Sequence, residues 1–408
     1  MKCGLLGRNL RHSYSPAIHS KLGCYQYELF EREPEELEDF LHGGDFTGLN
    51  VTIPYKKAVI PYLDELTETA MKLGAVNTVI RQKDGKLVGH NTDDYGFCYM
   101  MLESKLNPSG KKCLILGSGG ACATVRGVLE DMGAEPVIIS RTGADNYQNL
   151  HLHSDASILV NTTPVGMYPN AGQSPVDLSL FPNLEGVLDL IYNPAKTQLI
   201  MDAQMRNIPA WNGLSMLVAQ AKESAAFFTN TSIEDGKIKE VVRFLKKKSE
   251  NIILIGMPGC GKSTIGSALA DMTGKAFIDI DTEIEKEAGM SIPCIFSKYA
   301  EEGFRRLETK MLAKYGQESG LIIATGGGCV TTESNRTLLR QNGLIVWLQR
   351  HLSLLPTIGR PLSQSQNLEQ MYIRRKPLYE SFADMTVDNN GSIDDTLRCI
   401  LTALEEDT

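Results

Sequence analysis

Two stretches of this chain share one grammar: a short apolar run, a glycine-rich turn, and residues suited to starting a helix. They are KCLILGSGGAC, Lys112 to Cys122, and IILIGMPGCGKST, Ile252 to Thr264. A strand that breaks into a glycine turn and hands over to a helix aims backbone N–H groups and the positive end of the helix dipole at one point, which suits a phosphate. Each unit needs a parallel sheet of its own, and 408 residues are enough for two or three domains with separate cores. Short apolar runs alternate with helical stretches along the whole length, without a repeat of fixed period or a low-complexity tract. The predicted fold class is therefore α/β.

The two turns select different ligands. In the first, Gly117 and Gly119 take the first two positions of G-x-G-x-x-G/A, Gly120 and Ala121 open the helix, and Cys122 stands where the third small residue belongs. A ligand-free strand-to-helix turn has the same outline. The next strand, EPVIIS, ends about twenty residues on at Ser140, Arg141 and Thr142, where an NAD site places an acid for the ribose hydroxyl. Arginine there suits a 2′-phosphate, so NADP(H) is the expected cofactor, with Asp145 close enough to temper the preference.

In the second turn Gly256, Gly261, Lys262 and Ser263 satisfy G-x-x-x-x-G-K-[ST], with Gly259 and Thr264 in the same loop. That pattern binds a nucleoside triphosphate with Mg²⁺, and motors, switches and kinases share it: loop N–H groups cradle phosphates, Lys262 reaches the β and γ groups, and the Ser263 hydroxyl serves the metal. Downstream, FIDIDTEIE sets Asp279 and Asp281 two apart at an expected strand end, so that one serves metal and the other the acceptor. FRRLE puts Arg305 and Glu308 three apart on one helix face, and GGGCV, GRPL and RKPLYESFAD follow.

A formal net charge of −8 argues against a nucleic-acid surface and makes any cationic site local. The nine cysteines are scattered without a C-x-x-C pair, which speaks against a disulfide framework or zinc and for a reducing cytoplasm. No run of 18 apolar residues and no basic-then-apolar leader is present, so neither a membrane span nor secretion is expected. The main joint falls near Ser249, after the helical KIKEVVRFLKKKS, whose last lysines complement a helix dipole. A softer joint lies at LNPSG, Leu106 to Gly110.

From Met1 to about Leu245 the chain carries SYSPAIH, GLNVTIPYKK, GAVNT, GHNTDDYG, GSGGA, NTTPVGM, DLIYNP and NGLSMLVAQA in order, and in this it resembles the shikimate dehydrogenase family. The resemblance implies a substrate-binding and catalytic domain made of 1-106 and 212-248, with an NADP-binding Rossmann domain, 107-211, inserted between. It assigns Lys56 and Asp93 as the catalytic pair, Ser13 and Ser15 to the substrate carboxylate, and Thr52, Asn77 and Gln220 to the ring hydroxyls, with Tyr192 and Gly213 close by. The chemistry agrees, because hydride reduction of a ketone leaves an alkoxide that a lysine, set by a carboxylate, can protonate. Between Thr142 and Asn161 the chain is shorter than is common in that family, on the adenine side of the cofactor.

From about Asn251 onward the chain resembles the shikimate kinase family, implying a P-loop domain of the nucleoside monophosphate kinase type over 249-408. By that resemblance Asp281 deprotonates or orients the attacking hydroxyl and Asp279 works on the Mg²⁺ side. Arg305 and Arg375 hold the shikimate carboxylate, Gly326, Gly327 and Gly328 let the backbone approach the ring, and Arg360 steadies the transferring phosphate. Arginine suits a carboxylate because its planar fork makes two charge-assisted hydrogen bonds, each worth roughly 1.5 to 3 kcal/mol. QRHLSLLPTIG, between Trp347 and Arg360, lacks the arginine that the family usually puts shortly before RPL to stack on adenine, and Ser363 to Gln370 reads as a mobile lid.

The reading is a bifunctional enzyme: NADPH-dependent reduction of 3-dehydroshikimate to shikimate, then ATP-dependent phosphorylation of shikimate at its 3-hydroxyl. Its partners are those small anions, without nucleic acid or membrane, and a homodimer is compatible with it. Two alternatives stand beside it: a chain with only the kinase half active, and a catalytically silent shikimate-binding regulator. The presence of Lys56, Asp93, Lys262 and Asp281 favours the enzyme.

Overall fold

A computed structural model describes residues 1–10, 13–355 and 368–406. The chain divides into two compact units, Met1–Tyr192 with Leu199–Leu245, and Asn193–Gln198 with Lys246–Thr408.

The first unit holds two sheets. One consists of β1 (Lys2–Gly7), β2 (Gln26–Glu31), β3 (Gly48–Val51), β4 (Glu65–Leu66), β5 (Thr78–Arg81) and β6 (Leu87–His90), in the order β2-β1-β3-β5-β6-β4. β1 pairs in parallel with β2 and β3, while β5 runs antiparallel to β3 and β6, setting Asn50 opposite Thr78. Leu6, Leu49, Val51 and Val79 fill its core, and helices α1 (Ser15–Leu22), α2 (Leu37–Gly43), α3 (Glu68–Leu73) and α4 (Asp93–Ser104) accompany it. β2, at the edge, is mostly exposed, as its alternating sequence QYELFE requires.

The other sheet is wholly parallel: β7 (Lys112–Leu116), β8 (Glu135–Ile139), β9 (Ile158–Asn161), β10 (Gly186–Asp189) and β11 (Ala210–Asn212), in the order β11-β10-β9-β7-β8. Covered on both faces, its central strands are continuous apolar runs, and Leu114, Ile115, Leu116 and Val160 have no solvent exposure. α5 (Gly120–Asp131) and α6 (Gln198–Met205) belong to this layer, whereas α7 (Leu214–Thr229) turns back to pack on α1 and α4. α8 (Gly236–Ser249) buries Ile238, Val241 and Leu245, a spacing that puts one helical face against α1 and α7. The connection from β8 to β9 contains only a 3₁₀ turn, Leu150–His153, where this architecture has room for a crossover helix.

The second unit is a five-stranded parallel sheet: β12 (Asn251–Ile255), β13 (Ala276–Asp279), β14 (Leu321–Ala324), β15 (Gly343–Gln349) and β16 (Met385–Asp388), ordered β13-β14-β12-β15-β16. Around it lie α9 (Lys262–Thr273), α10 (Ile280–Ala288), α11 (Ile292–Gly316), α12 (Ser334–Arg340), α13 (Leu368–Phe382) and α14 (Ile393–Glu406). Trp347 and Tyr379, both buried, stack with ring centres 5.6 Å apart in the core.

Two expectations are corrected here. Asp281 is not on the strand; β13 stops at Asp279, whose carboxylate caps α10 by accepting from the N–H groups of Asp281 and Thr282, so the helix begins one residue earlier than Asp281. Leu368 to Gln370, expected to belong to a lid, form the first turn of α13; residues 363–367 and Arg360 lie outside the described residues.

Candidate active sites

In the first unit the site is built on a buried polar network. Lys56 Nζ donates to Asp93 Oδ2 at 2.6 Å, and Asp93 Oδ1 accepts from Asn77 Nδ2 at 2.9 Å. Asp93 opens α4, directly after Asn91 and Thr92, and its own N–H is held by Asn91 Oδ1 at 3.0 Å. Asn77 also donates to Thr92 Oγ1 at 3.0 Å and Gln220 Oε1 at 3.4 Å, so Lys56, Asp93, Asn77 and Gln220 converge. The lysine keeps 30 % of its side chain exposed and the aspartate 14 %, which leaves the ammonium reachable while its partner is mostly covered.

The network continues through residues that the sequence did not single out. Ser224, fully buried on α7, bonds Asn50 Nδ2 at 2.9 Å, Thr78 Oγ1 at 2.7 Å and Thr92 Oγ1 at 3.1 Å. Tyr27, beside Ser15, donates to Asn50 Oδ1 at 2.8 Å and stacks on His19 at 4.0 Å. Burial holds the His19 imidazole down to about 3, against a smaller opposing pull from Asn50, so this ring stays neutral. Only the alternation of Ser, Thr and Asn around N-V-T and N-T-V hints at such a network, and these residues are too common in turns to be read as one.

The remaining expected contacts fall into smaller groups. Ser13 Oγ accepts from the N–H of Ser15 at 3.2 Å at the start of α1. Tyr192 lies 5.4 Å, centre to centre, from Tyr14 of the same serine motif. Thr52 is half-buried and its N–H is tied to Leu6 O at 3.0 Å. Gly213 begins α7 where a β-carbon would stand 2.1 Å from Leu190 O, so only glycine fits.

At the end of β7, Gly117 has φ +104° and a β-carbon on it would lie 2.9 Å from Thr163 Cγ2. Gly119 and Gly120 face open space, and α5 starts at Gly120 without a side-chain cap. Ala121 follows in the first turn of α5. Ser140 Oγ accepts from Gly143 N at 2.8 Å, folding the Ser140–Thr142 turn and leaving Arg141 exposed. Asp145 is engaged with His153 Nε2 at 2.9 Å.

In the second unit Gly256, Gly259 and Gly261 have φ of +145°, +85° and +100°, the left-handed region that favours glycine. Lys262, 8 % exposed, donates to the carbonyls of Gly256 and Met257 at 2.9 and 3.0 Å. Ser263 Oγ donates to Asp279 Oδ2 at 2.6 Å, placing a hydroxyl and a carboxylate together beside the loop, while Thr264 is exposed one residue on. Among the described residues no three His, Cys, Asp or Glu gather as a metal cluster.

Across from the loop, Asp281 has a buried Oδ1 without a partner, and burial, then the charge of Asp279, raises its carboxyl above the usual range, with Lys262 and Arg305 pulling back. Arg305 spans Glu308 at 2.6 Å and Glu301 at 3.1 Å. Glu308 has no exposure, and burial raises its carboxyl despite the opposing pull of Arg305. The triple glycine closes this corner: a β-carbon on Gly326 would lie 2.4 Å from Glu308 Oε1 and 3.0 Å from Asp281 Oδ1, and one on Gly328 2.0 Å from the Arg305 guanidinium. Gly327 O accepts from Arg375 Nη1 at 3.0 Å and Tyr379 OH at 2.5 Å. Asp281, Glu308, Arg305, Arg375 and the three glycines therefore form one corner opposite Lys262.

Comparison with known proteins addresses both units. The family model "Shikimate dehydrogenase substrate binding domain" matches residues 5–79, and "Shikimate kinase" matches 258–405. A shikimate dehydrogenase (NADP(+)) of Caldanaerobacter subterraneus subsp. tengcongensis is 35 % identical over 268 residues, covering 59 % of this chain and 95 % of that protein. This chain is a member of the shikimate dehydrogenase family joined to a shikimate kinase domain. Among solved structures, a chorismate mutase/shikimate 5-dehydrogenase fusion protein from Clostridium acetobutylicum superposes with a TM-score of 0.58 at 35 % identity, over 60 % of this chain and 97 % of that one. The shikimate 5-dehydrogenase of Thermus thermophilus, solved with NADP(H) and shikimate, gives a TM-score of 0.53 at 29 % identity, over 60 % and 99 %. The shikimate dehydrogenase part accordingly has the Rossmann layer, and the shikimate kinase part the P-loop layer, that the two glycine turns announced. No helix among the described residues is long and apolar enough to cross a membrane.

Proposed function

We propose that the chain performs two consecutive reactions in the cytoplasm: NADPH-dependent reduction of 3-dehydroshikimate to shikimate, then transfer of the ATP γ-phosphoryl group to shikimate. The observation that carries this reading is that each half has its charged groups assembled, Lys56 on Asp93 at 2.6 Å in one, and Lys262 facing Asp281, Arg305 and Arg375 in the other.

The residues fit the cofactors. Gly119 and Gly120 leave space for a pyrophosphate at an uncapped helix start, and exposed Arg141 suits a 2′-phosphate. The nicotinamide, when bound, supplies the hydride. Asn77 and Gln220 orient the substrate hydroxyls, and Lys56, kept in place by Asp93, gives its proton to the alkoxide oxygen.

In the second half the P-loop glycines and Lys262 fit a triphosphate, and Ser263 with Asp279 would hold a Mg²⁺ ion, which would supply positive charge to the phosphates. Arg305 and Arg375 hold the shikimate carboxylate, and Asp281 Oδ1 accepts the proton of the attacking hydroxyl.

The test supplies 3-dehydroshikimate, ATP and Mg²⁺ with NADPH, and follows nicotinamide oxidation together with ADP release. Both should appear, ADP lagging behind oxidation. ADP release only when ready-made shikimate is added would leave the kinase alone active.

A further inference from the structure

We propose that Ser224, fully buried behind the site of the first unit, is a positioning residue for the reduction: its single hydroxyl ties together the elements that carry the substrate-binding and catalytic side chains. The proposal rests on the reading of that half as the reductase.

Each partner of this hydroxyl stands beside a site residue. Asn50, on β3, comes two residues before Thr52; Thr78 follows Asn77; Thr92 precedes Asp93. Ser224 itself lies one turn of α7 after Gln220. One oxygen therefore joins β3, β5, the start of α4 and α7 at the points where they present Thr52, Asn77, Asp93 and Gln220.

Asn77 fixes the direction of these bonds. Its Oδ1 accepts the backbone N–H of Thr92 at 2.8 Å, a group that can only donate, so the amide nitrogen is the end turned to Asp93. Thr78 gives its one hydroxyl proton to the same Oδ1 at 3.0 Å and must then accept from Ser224 at 2.7 Å. Thr92 Oγ1 accepts from Asn77 Nδ2 at 3.0 Å, which leaves its own proton for Ser224 at 3.1 Å. Asn50 Nδ2 donates to Ser224 at 2.9 Å, while Asn50 Oδ1 takes the Tyr27 hydroxyl at 2.8 Å. Ser224 thus accepts twice and donates once, the full capacity of a hydroxyl. The ordinary bond of a helix serine, back to the carbonyl four residues earlier, is present as well, but at 3.0 Å to Gln220 O it is longer than the one to Thr78.

Two arms lead from Ser224 to the catalytic pair. Through Thr78 it sets the Asn77 amide that holds Asp93 Oδ1, and through Thr92 it ties down the start of α4, whose first residue is Asp93. Being buried, Ser224 acts only through these neighbours. Without its hydroxyl, Asn50 Nδ2 and Thr92 Oγ1 lose their shared partner, while Ser13, Ser15, Thr52 and Gln220 keep their side chains for the substrate. The loss then falls on the aim of Lys56 and Asp93 at the alkoxide, a contact made in the transition state, and not on substrate capture.

The experiment follows steady-state and single-turnover reduction of 3-dehydroshikimate by NADPH in the full chain, at a temperature where melting curves show every variant folded. Ser224→Ala should lower kcat and the single-turnover rate about tenfold, the effect of a slightly misaimed acid, and keep KM for 3-dehydroshikimate within about twofold. Thr78→Val keeps the shape of the side chain without its hydroxyl and should lower the same rates. The double variant should lose less than the product of the two single losses, because both act through the Asn77 amide. Ser224→Cys, close in size but weak in hydrogen bonding, should behave like the alanine variant. Phosphorylation of added shikimate should be unaltered in all of them. Unchanged rates in Ser224→Ala, a raised KM with kcat kept, single losses that multiply in the double variant, or rates restored by cysteine would each overturn the proposal. Should the alanine variant not fold, Thr78→Val and Ser224→Cys decide between the same outcomes. Failure of the unaltered chain to reduce 3-dehydroshikimate is a separate result, and it would overturn the reductase reading itself.

Discussion

The turn after β7 carries no charged side chain and enters α5 through Gly119 with open space around it, whereas the turn after β12 wraps its own carbonyls around the buried ammonium of Lys262. Both begin as an apolar strand and a glycine in the left-handed region. The difference follows from what happens to the phosphate. A cofactor's pyrophosphate is only held, and backbone dipoles suffice; a phosphoryl group that leaves develops charge in transit, and a cation must be there to meet it.

The sharpest way to break that comparison is a pair of substitutions. Lys262→Ala should cut phosphorylation by about 10²-fold or more and leave reduction intact. Lys56→Ala should cut reduction by about 10² to 10⁴-fold and spare phosphorylation of added shikimate. Both rates are read on the same preparations, and loss of both activities in either variant would refute two independent sites.

The glycines give the next contrast. Gly256→Ala forces a side chain into φ +145° with its β-carbon 2.7 Å from Leu348 O, and should destabilise the kinase half by about 1–3 kcal/mol in thermal unfolding. Gly119→Ala, at φ −79° in open space, should leave the melting temperature unchanged and raise only KM for NADPH.

Acid should separate the two halves as well. His19, packed against Tyr25, Tyr27 and Phe228, is held near 3 by burial, while the unfolded chain takes up that proton at about 6.5. Its contribution is complete above the unfolded value and is lost as pH falls from there towards 3, at about 1.4 kcal/mol per pH unit. In His19→Gln, the unfolding temperature of the dehydrogenase half should fall less steeply between pH 6 and 4, with that of the kinase half unaltered. A slope unchanged by the substitution would assign the acid sensitivity elsewhere.

The smallest effect concerns cofactor choice. Arg141→Ala should reduce the NADPH-over-NADH ratio of kcat/KM by about tenfold, one charge-assisted contact's worth, with the NADH value nearly unchanged. The Asp145 carboxylate nearby is hydrogen-bonded to His153 Nε2 at 2.9 Å.

The parallel strands were legible because strands covered on both faces must be apolar throughout, as in LIL of β7 and NIILI of β12. The charged residues proposed for the two sites could be named in advance because the ordered motifs around them resemble those of the two families. Asp281 was misplaced since FIDID alternates like a strand; the run of Asp281 and Glu283 after Asp279 is the helix-start signal that outweighs it. The short stretch after Thr142 became a 3₁₀ turn because Gly143, Asn146 and Asn149 satisfy one another's backbone instead of starting a helix. The Ser224 hub and the full burial of Glu308 could not be read at all, since both depend on which distant elements pack over them.

Arg305 has one further consequence. Its guanidinium is already divided between two anions, Glu308 with no exposure and Glu301 with half its side chain in solvent. On the proposed reading, an arriving substrate carboxylate makes an exchange: it displaces the solvent-side glutamate while the interior one keeps the fork aimed. The tally of ion pairs at this arginine is then the same before and after binding, and recognition becomes a competition between acids, decided by how well each one's two oxygens match the fork.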